Sequence, residues 1–160
     1  AGHRRRGAGG IGVLGPAITA IKAYVAANYS ASPVRWANEP FPGGSYELPT
    51  DNGVPSPFVE VEVIGGRNAI EAFSVPGNRV FIHPAIIRFY IVVPQGTGID
   101  AAIATADVFA AFMERKEFGQ SAGQTVRTGD FSTYDGVASY EDGNRFVLMA
   151  SVPAEFYYTN

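Results

Sequence analysis

Eight consecutive residues, 86–93, consist almost entirely of β-branched and aromatic side chains and read IIRFYIVV. Such side chains fit a pleated sheet, and an uninterrupted apolar run is typical of a strand buried on both faces. We therefore predict a central strand here. Residues 145–157 are apolar in both registers and predict a second central strand, in which Pro153 requires an edge position or a bulge at that point.

Shorter strands are predicted on either side of these two. Residues 58–64 alternate between valines in one register and the glutamates Glu60 and Glu62 in the other. This alternation predicts a strand with one exposed face. Further strands are predicted at residues 34–37, 69–75 and 124–130.

Two segments show helical spacing. Residues 16–29 place Ile18, Ile21 and Val25 on one side, and Pro16 suits a first helical turn. The second helix is predicted at residues 99–116, with an apolar stripe of Ile99, Ile103, Ala106, Ala110 and Met113 that is widened by Phe109 and Phe112. The order of helix, strands, helix and strands predicts an α+β domain. We expect a mostly antiparallel or mixed sheet with two helices packed on one face.

The first residues differ in charge from the rest of the chain. Residues 1–15 contain six glycines and predict a flexible arm, followed by a single domain at residues 16–160. Residues 1–38 hold five basic residues and no acid, so the remainder has a net charge of −8. The cluster Arg4, Arg5 and Arg6 predicts either a solvated terminus or docking on an acidic surface of a neighbouring copy, another protein or nucleic acid.

Residues 38–57 hold five prolines and three glycines and predict a long irregular loop. Loops of this length are usually functional or disordered. Trp36, Pro40 and Phe41 stand where the loop begins. They either pack on the core or form an exposed interface anchor, because tryptophan and other aromatic residues dominate interface hot spots. The sequence leaves both interpretations open.

Several kinds of site are excluded or disfavoured. The chain has no cysteine, so disulfides, thiolate metal sites and cysteine nucleophiles are excluded. No apolar run is long enough to predict a membrane span. Residues 7–12 match the pattern G-x-G-x-x-G, but no strand precedes them, so a dinucleotide site is not predicted. Gly96-Thr97-Gly98 opens a helix without a P-loop lysine, and Thr97 is interpreted as a helix cap.

Candidate catalytic residues are few. Glu60 and Glu62 lie two apart on one strand, which predicts a charged outer face rather than a glycosidase pair. His3 and His83 are the only histidines, too few to build a zinc site. His83 stands beside Pro84 at a predicted break between strands, and no G-x-S-x-G signature supports a Ser-His-Asp triad around it. We predict no catalytic residue, cofactor or metal.

Three segments, taken in order, resemble one family. Trp36-Ala37-Asn38-Glu39-Pro40-Phe41 resembles the W-x-N-x-P-F stretch after the first helix of tail terminator (tail completion) proteins of tailed phages and phage-like particles. Val92-Val93-Pro94, then Gly96-Thr97-Gly98 and an Ala-rich helix, are similar to the middle of that family. Val152-Pro153 before Phe156 is similar to its closing strand.

The resemblance covers residues 16–158; the arm before Pro16 and the long loop depart from it. It implies a structural virion protein, usually a ring of six copies, on the head-proximal end of the tail tube. Such a ring ends tube polymerisation and joins the tail to the head-side connector of the neck, and DNA crosses its lumen without sequence-specific binding. The resemblance implies no catalytic residue, and places assembly in the cytoplasm of a bacterial host.

Other functions remain as alternatives. The chain is also compatible with another head–tail joining protein or with the tail tube subunit of the same particle. A small hydrolase that uses His83 is a remote alternative. A nucleic-acid-binding module that uses Arg4, Arg5 and Arg6 is a further one, although the acidic body argues against it.

Overall fold

The computed structural model describes residues 11–65, 70–75, 78–120, 124–137 and 144–159. Its elements, in chain order, are α1 (Ile11–Asn28), β1 (Val34–Trp36), β2 (Thr50–Asp51), β3 (Val54–Pro55), β4 (Phe58–Gly65), β5 (Ile70–Val75), β6 (Asn78–Pro94), α2 (Asp100–Met113), β7 (Glu117–Phe118), β8 (Thr125–Thr128), β9 (Ser132–Val137) and β10 (Arg145–Thr159).

The centre of the fold is a long antiparallel ribbon of β6 and β10. The two strands pair without a register shift from Arg145 opposite Pro94 to Thr159 opposite Val80. Both strands predicted to be central are therefore confirmed, and β6 starts eight residues earlier than the apolar run that predicted it. The predicted break at Pro84 is wrong, because β6 continues through it.

The other strands flank this ribbon in two pairs. Different segments of β6 pair with β4 and with β5, and different segments of β10 pair with β9 and with β8. The main order is β1-β4-β6-β10-β8-β7, and β1 pairs in parallel with β4 while the other described pairs of this sheet are antiparallel. The mixed sheet and two helices confirm the α+β fold.

The two prolines of the ribbon lie where the outer partners change. Pro153 falls between the segment of β10 that pairs with β9 and the segment that pairs with β8, and its carbonyl accepts a hydrogen bond from Gly129 N at 2.8 Å. Pro84 falls in the matching gap between β4 and β5. Pro84 is opposite Glu155, two positions from Pro153. The backbone nitrogen and carbonyl of both prolines therefore point away from the partner strand, and neither proline removes a hydrogen bond between β6 and β10.

Both helices pack on one face of the sheet, as predicted. The main core combines residues of α1 and α2 with one register of the central strands: Ala17, Ile21, Val25, Ala102, Ala106, Phe109, Met113, Val59, Val61, Ile87, Phe89, Ile91, Leu148, Ala150, Val152 and Phe156. Tyr24 of α1 links the two helices, because its hydroxyl donates a hydrogen bond to the carbonyl of Phe112 in α2. Its ring stacks on Phe118 of β7. Burial raises the pKa of Tyr24.

Helix α1 begins at Ile11, five residues before its predicted start at Pro16. The predicted boundary of the arm at residue 15 is therefore wrong, and residues 1–10 lie outside the described part of the chain. Pro16 lies inside α1, where a proline fits the helical φ angle but removes one N–H donor and crowds the carbonyl four residues earlier, so it costs helix stability. Pro16 is exposed, so water can replace the bond that its missing N–H would have made.

Helix α2 is shorter than predicted, and part of its apolar stripe was assigned wrongly. It ends at Met113, because Glu114 is extended and Arg115 has a φ of 49°. Ala102, Ala106, Phe109, Phe112 and Met113 are buried, but Ile99 and Ile103 are 46% and 42% exposed. Ala102 and Ala106 face the sheet. Because successive residues of a helix are about 100° apart, the side chains of Ile99 and Ile103 point roughly 60–100° away from the sheet.

Three further elements were not predicted: the β2–β3 hairpin, β7 and β9. The hairpin lies inside the stretch predicted to be irregular. Asn52 and Gly53, with φ angles of 50° and 79°, form the two-residue turn that such a hairpin requires. The elements are short or polar, so they carry no hydrophobic alternation that sequence analysis could detect.

We expect Phe109→Ala to lower the free energy of unfolding by about 3–5 kcal/mol, because it removes a fully buried ring. That ring contacts Tyr29, Phe89 and Phe112 at centroid distances of 4.5, 4.8 and 5.1 Å. The control Ile103→Ala should change stability by ~0.5 kcal/mol or less, since the side chain is exposed. Urea denaturation measures both; equal losses would contradict this orientation of α2.

Candidate interaction surface

Trp36, Pro40 and Phe41 lie together at the edge of the sheet that ends in β1. They line a depression of about 420 Å³ between the last turns of α1 and the following loop. An adjoining depression of about 640 Å³ extends toward Thr50. The two share Ser32, Pro33, Phe41 and Pro42, and we call them together the loop groove.

Trp36 lies half-buried in the edge strand β1, with its side chain partly packed against the main core. The ammonium group of Lys22 stands 5.5 Å from the centre of its ring. Lys22 also pairs with Glu39, so α1 is tied to the start of the loop. Trp36 thus combines both interpretations from the sequence, because one part packs inward and another lines the groove.

Phe41 is a packing residue and not a free anchor. It is only 6% exposed, and its ring meets the ring of Phe58 edge to face at 5.1 Å. The guanidinium of Arg35 lies 4.7 Å from its centre. Phe41 belongs to a second, smaller core with Phe58, Val92 and Val147. This core lies on the sheet face opposite the helices, because Phe58 and Val92 occupy the register that alternates with Val59 and Ile91. Pro40 is half-buried beside it.

The loop is held on the sheet by a buried arginine. Arg145, at the start of β10, is 1% exposed, and its Nη2 donates to the carbonyl of Pro49 at 2.7 Å. A tight turn also shapes the loop: Phe41 N donates to Ser45 O at 2.7 Å, around Gly43 and Gly44 with φ angles of 98° and 88°. The part of the loop between these anchors has few other backbone bonds.

The outer side of the loop is acidic and partly apolar. Residues 37–57 contain Glu39, Glu47 and Asp51 and no basic residue. All three carboxylates are exposed. Tyr46 and Val54 are also exposed, at 68% and 62%. The rim of the loop groove therefore offers negative charge beside aromatic and proline side chains.

The helix-free face of the sheet carries the predicted charged residues. Arg35 Nη2 lies 2.6 Å from Glu60, and Tyr90 donates its hydroxyl to Glu62 at 3.0 Å. Burial, and then the bond to Glu62, raise the pKa of Tyr90. A depression of about 340 Å³ lies beside them, lined by Ile86, Arg88, Tyr90 and Met149 among others. Both carboxylates are held by neighbours, so their arrangement is that of a structural face.

The remaining candidates do not form a reactive site. His83 is 6% exposed, and its ring stacks on Phe156 at 6.2 Å. Thr97 donates its hydroxyl to the carbonyl of Pro94 at 2.7 Å, and the cap of α2 at Ile99 has no side-chain hydrogen bond. Thr97 is therefore not a helix cap. His3, Arg4, Arg5 and Arg6 lie outside the described residues.

The described residues hold neither a metal-binding group nor a helix suited to a membrane. No group of three or more histidine, aspartate or glutamate side chains within residues 11–65, 70–75, 78–120, 124–137 and 144–159 is placed to hold a metal ion. Neither described helix has the length and hydropathy that crossing a membrane requires.

Comparison with known proteins gives a likeness in fold. No family model matches the sequence, and neither does any curated protein. A solved structure whose description states no function aligns with 94% of this chain and 96% of that chain, with a TM-score of 0.57 and 16% sequence identity. At this identity the likeness concerns the fold alone, and it spans both chains almost completely.

We expect Phe41→Ala to lower the free energy of unfolding by about 3 kcal/mol, because it empties the smaller core. The loop should also open more often, so backbone amides of residues 42–49 should exchange hydrogen faster. Tyr46→Ala is the matched control in the same loop, and its exposed ring predicts a change of ~0.5 kcal/mol or less. Hydrogen exchange read by mass spectrometry tests both, and unchanged exchange in Phe41→Ala would contradict the anchoring role.

Proposed function

We propose that this chain is a tail terminator of a tailed phage or a phage-like particle. In this role it forms a ring on the tail tube, ends polymerisation of the tube and joins the tail to the head-side connector. Its partners are other copies of itself, the tube protein and a neck protein, and DNA passes through the lumen. Six copies is the expected number.

The observation that carries the proposal is the structure of the segment that resembles the family most closely. Residues 36–41 form the last position of the edge strand β1 and the corner that follows it, and their side chains divide between two cores and a surface groove. This segment fixes where the long loop leaves the sheet. A subunit that assembles with copies of itself needs such a rigidly held surface element.

The other two segments of the resemblance also have a structural role here. Val92-Val93-Pro94 ends β6, and Gly96 and Gly98, with φ angles of 86° and 81°, turn the chain into α2. These angles suit glycine, so a Gly-x-Gly turn follows from the backbone itself. Pro153 marks the change of partner along β10. The resemblance therefore rests on residues that shape the fold and not on a reactive site.

The surfaces of the chain suit assembly better than catalysis. The loop groove, exposed Ile99 and Ile103 on α2, and the partly uncovered sheet face are three different patches. A ring needs two unlike patches that meet head to tail, with a rotation that closes. His83, which a hydrolase would use as its base, is only 6% exposed, and its ring is stacked against Phe156.

We expect the purified chain to form a closed oligomer with a mass near six times 17.0 kDa. Light scattering at several protein concentrations measures the mass, and negative-stain microscopy shows whether the particle is a ring. Tubes that lengthen with concentration would contradict the proposal and favour the tube subunit.

A monomer at every concentration would call for a second experiment, because some rings close only on the tube end. The chain would then be added to growing tubes of the tube protein from the same particle. A terminator binds one end and stops growth at substoichiometric amounts. Continued growth at equimolar amounts would reject the terminator role and leave a head–tail joining protein as the alternative.

A further inference from the structure

We propose that the loop groove binds the arginine cluster Arg4, Arg5 and Arg6 of a neighbouring copy. The inference deepens the proposed function, on which it rests only in requiring that copies of the chain associate. The basic segment of one copy binds the loop groove of the next copy, so the interface is head to tail.

The groove has the chemistry that recognises guanidinium groups. Arginine stacks its planar group on aromatic rings and pairs with carboxylates at the same time. The groove supplies half-buried Trp36 and the prolines Pro33, Pro40 and Pro42, with Glu39 and Glu47 among its lining residues. One cation of the chain already makes both kinds of contact in the groove. Lys22 lies over Trp36 and pairs with Glu39.

The charges of the two segments are complementary. Residues 4–6 carry three positive charges, and residues 37–57 carry three negative charges and no positive one. Lys22 offsets part of the charge of Glu39, whereas Glu47 and Asp51 are exposed at the far side of the loop. The loop that borders the groove thus supplies three of the negative charges that make residues 39–160 acidic.

The geometry favours a neighbouring copy over the same chain. Helix α1 spans 18 residues, or about 27 Å, and the acidic loop borders Ser30 and Pro33 beyond its C-terminal end. The arginines are attached at the other end, five to seven residues before Ile11. A chain of that length reaches roughly 17–25 Å when fully extended. The part of its own groove around Glu47 is thus at the limit of reach, whereas the part beside Lys22, about 17 Å from Ile11 along α1, is within it. The groove of an adjacent copy is not restricted in this way, so binding along its whole length favours that copy.

A head-to-tail contact follows from the placement of the two segments. The basic segment precedes the N-terminal end of α1, and the groove runs along the C-terminal part of the same helix, from Lys22 to beyond its end at Pro33. Each copy therefore presents a donor at one end and an acceptor at the other. Such a heterologous contact generates a ring if its rotation closes, which is the geometry that a terminator ring requires.

The test is a disulfide cross-link between two differently tagged full chains, which is clean because the natural chain has no cysteine. One chain carries Gly7→Cys and the other Ser45→Cys, in the turn that lines the groove. The control partner carries Ser132→Cys, an equally conservative and exposed change on β9. Four strand spacings separate β9 from β1, or about 19 Å.

We expect about tenfold more heterodimer with Ser45→Cys than with Ser132→Cys. The combined change Arg4→Ala, Arg5→Ala and Arg6→Ala should remove this preference, and so should 0.5 M salt, because exposed ion pairs are individually weak and screened. The charge reversal Glu47→Lys, at a residue with no role in holding the loop, should also reduce it. These residues are exposed or outside the described fold, so the variants should fold normally.

Equal yields with the two partners would overturn the inference. A product formed only within one chain that carries both Gly7→Cys and Ser45→Cys would also overturn it, because the segment would then occupy its own groove. The proposed function is judged separately. A closed oligomer whose mass is unchanged by the three arginine substitutions would leave the terminator role standing while rejecting this contact.

Discussion

The unbroken pairing of β6 with β10 is the interaction on which the rest of this structure depends. Both strands are apolar in two registers over much of their length, so the ribbon buries side chains on both faces and cannot stand alone. One face requires the helices, and the other requires the loop that carries Phe41. Pro84 and Pro153 then divide the flanking strands into two sets without weakening the ribbon.

The helices and the loop cover the two faces of the sheet unequally, and the loop groove results from this difference. Helices α1 and α2 cover one face with a large core. On the other face, Phe41 and Leu48 cover only the end near β4, through a small core that includes Phe58 and Val92. The loop between them is held by Arg145 and a glycine turn. It therefore forms a bordered groove beside α1 instead of packing flat on the sheet.

An assembly role and this architecture are mutually consistent. On the helix-free face Glu60 and Glu62 are held by Arg35 and Tyr90, and His83 contributes to packing. In the proposed head-to-tail contact, α1 connects the basic segment at residues 4–6 to the groove that lies along its C-terminal part.

The sequence by itself determined the elements whose side chains repeat regularly: both central strands, the alternating strand β4, the two helices and hence the α+β class. It did not determine the short elements β2, β3, β7 and β9, because they are too short or too polar to carry a hydrophobic alternation. It also misassigned Ile99 and Ile103, since helical spacing defines a stripe but only the sheet decides which edge of that stripe is buried. Whether Trp36 and Phe41 pack or protrude was decided by tertiary structure, because the fold brings the main core and Lys22 against Trp36, and Phe58 and Arg35 against Phe41.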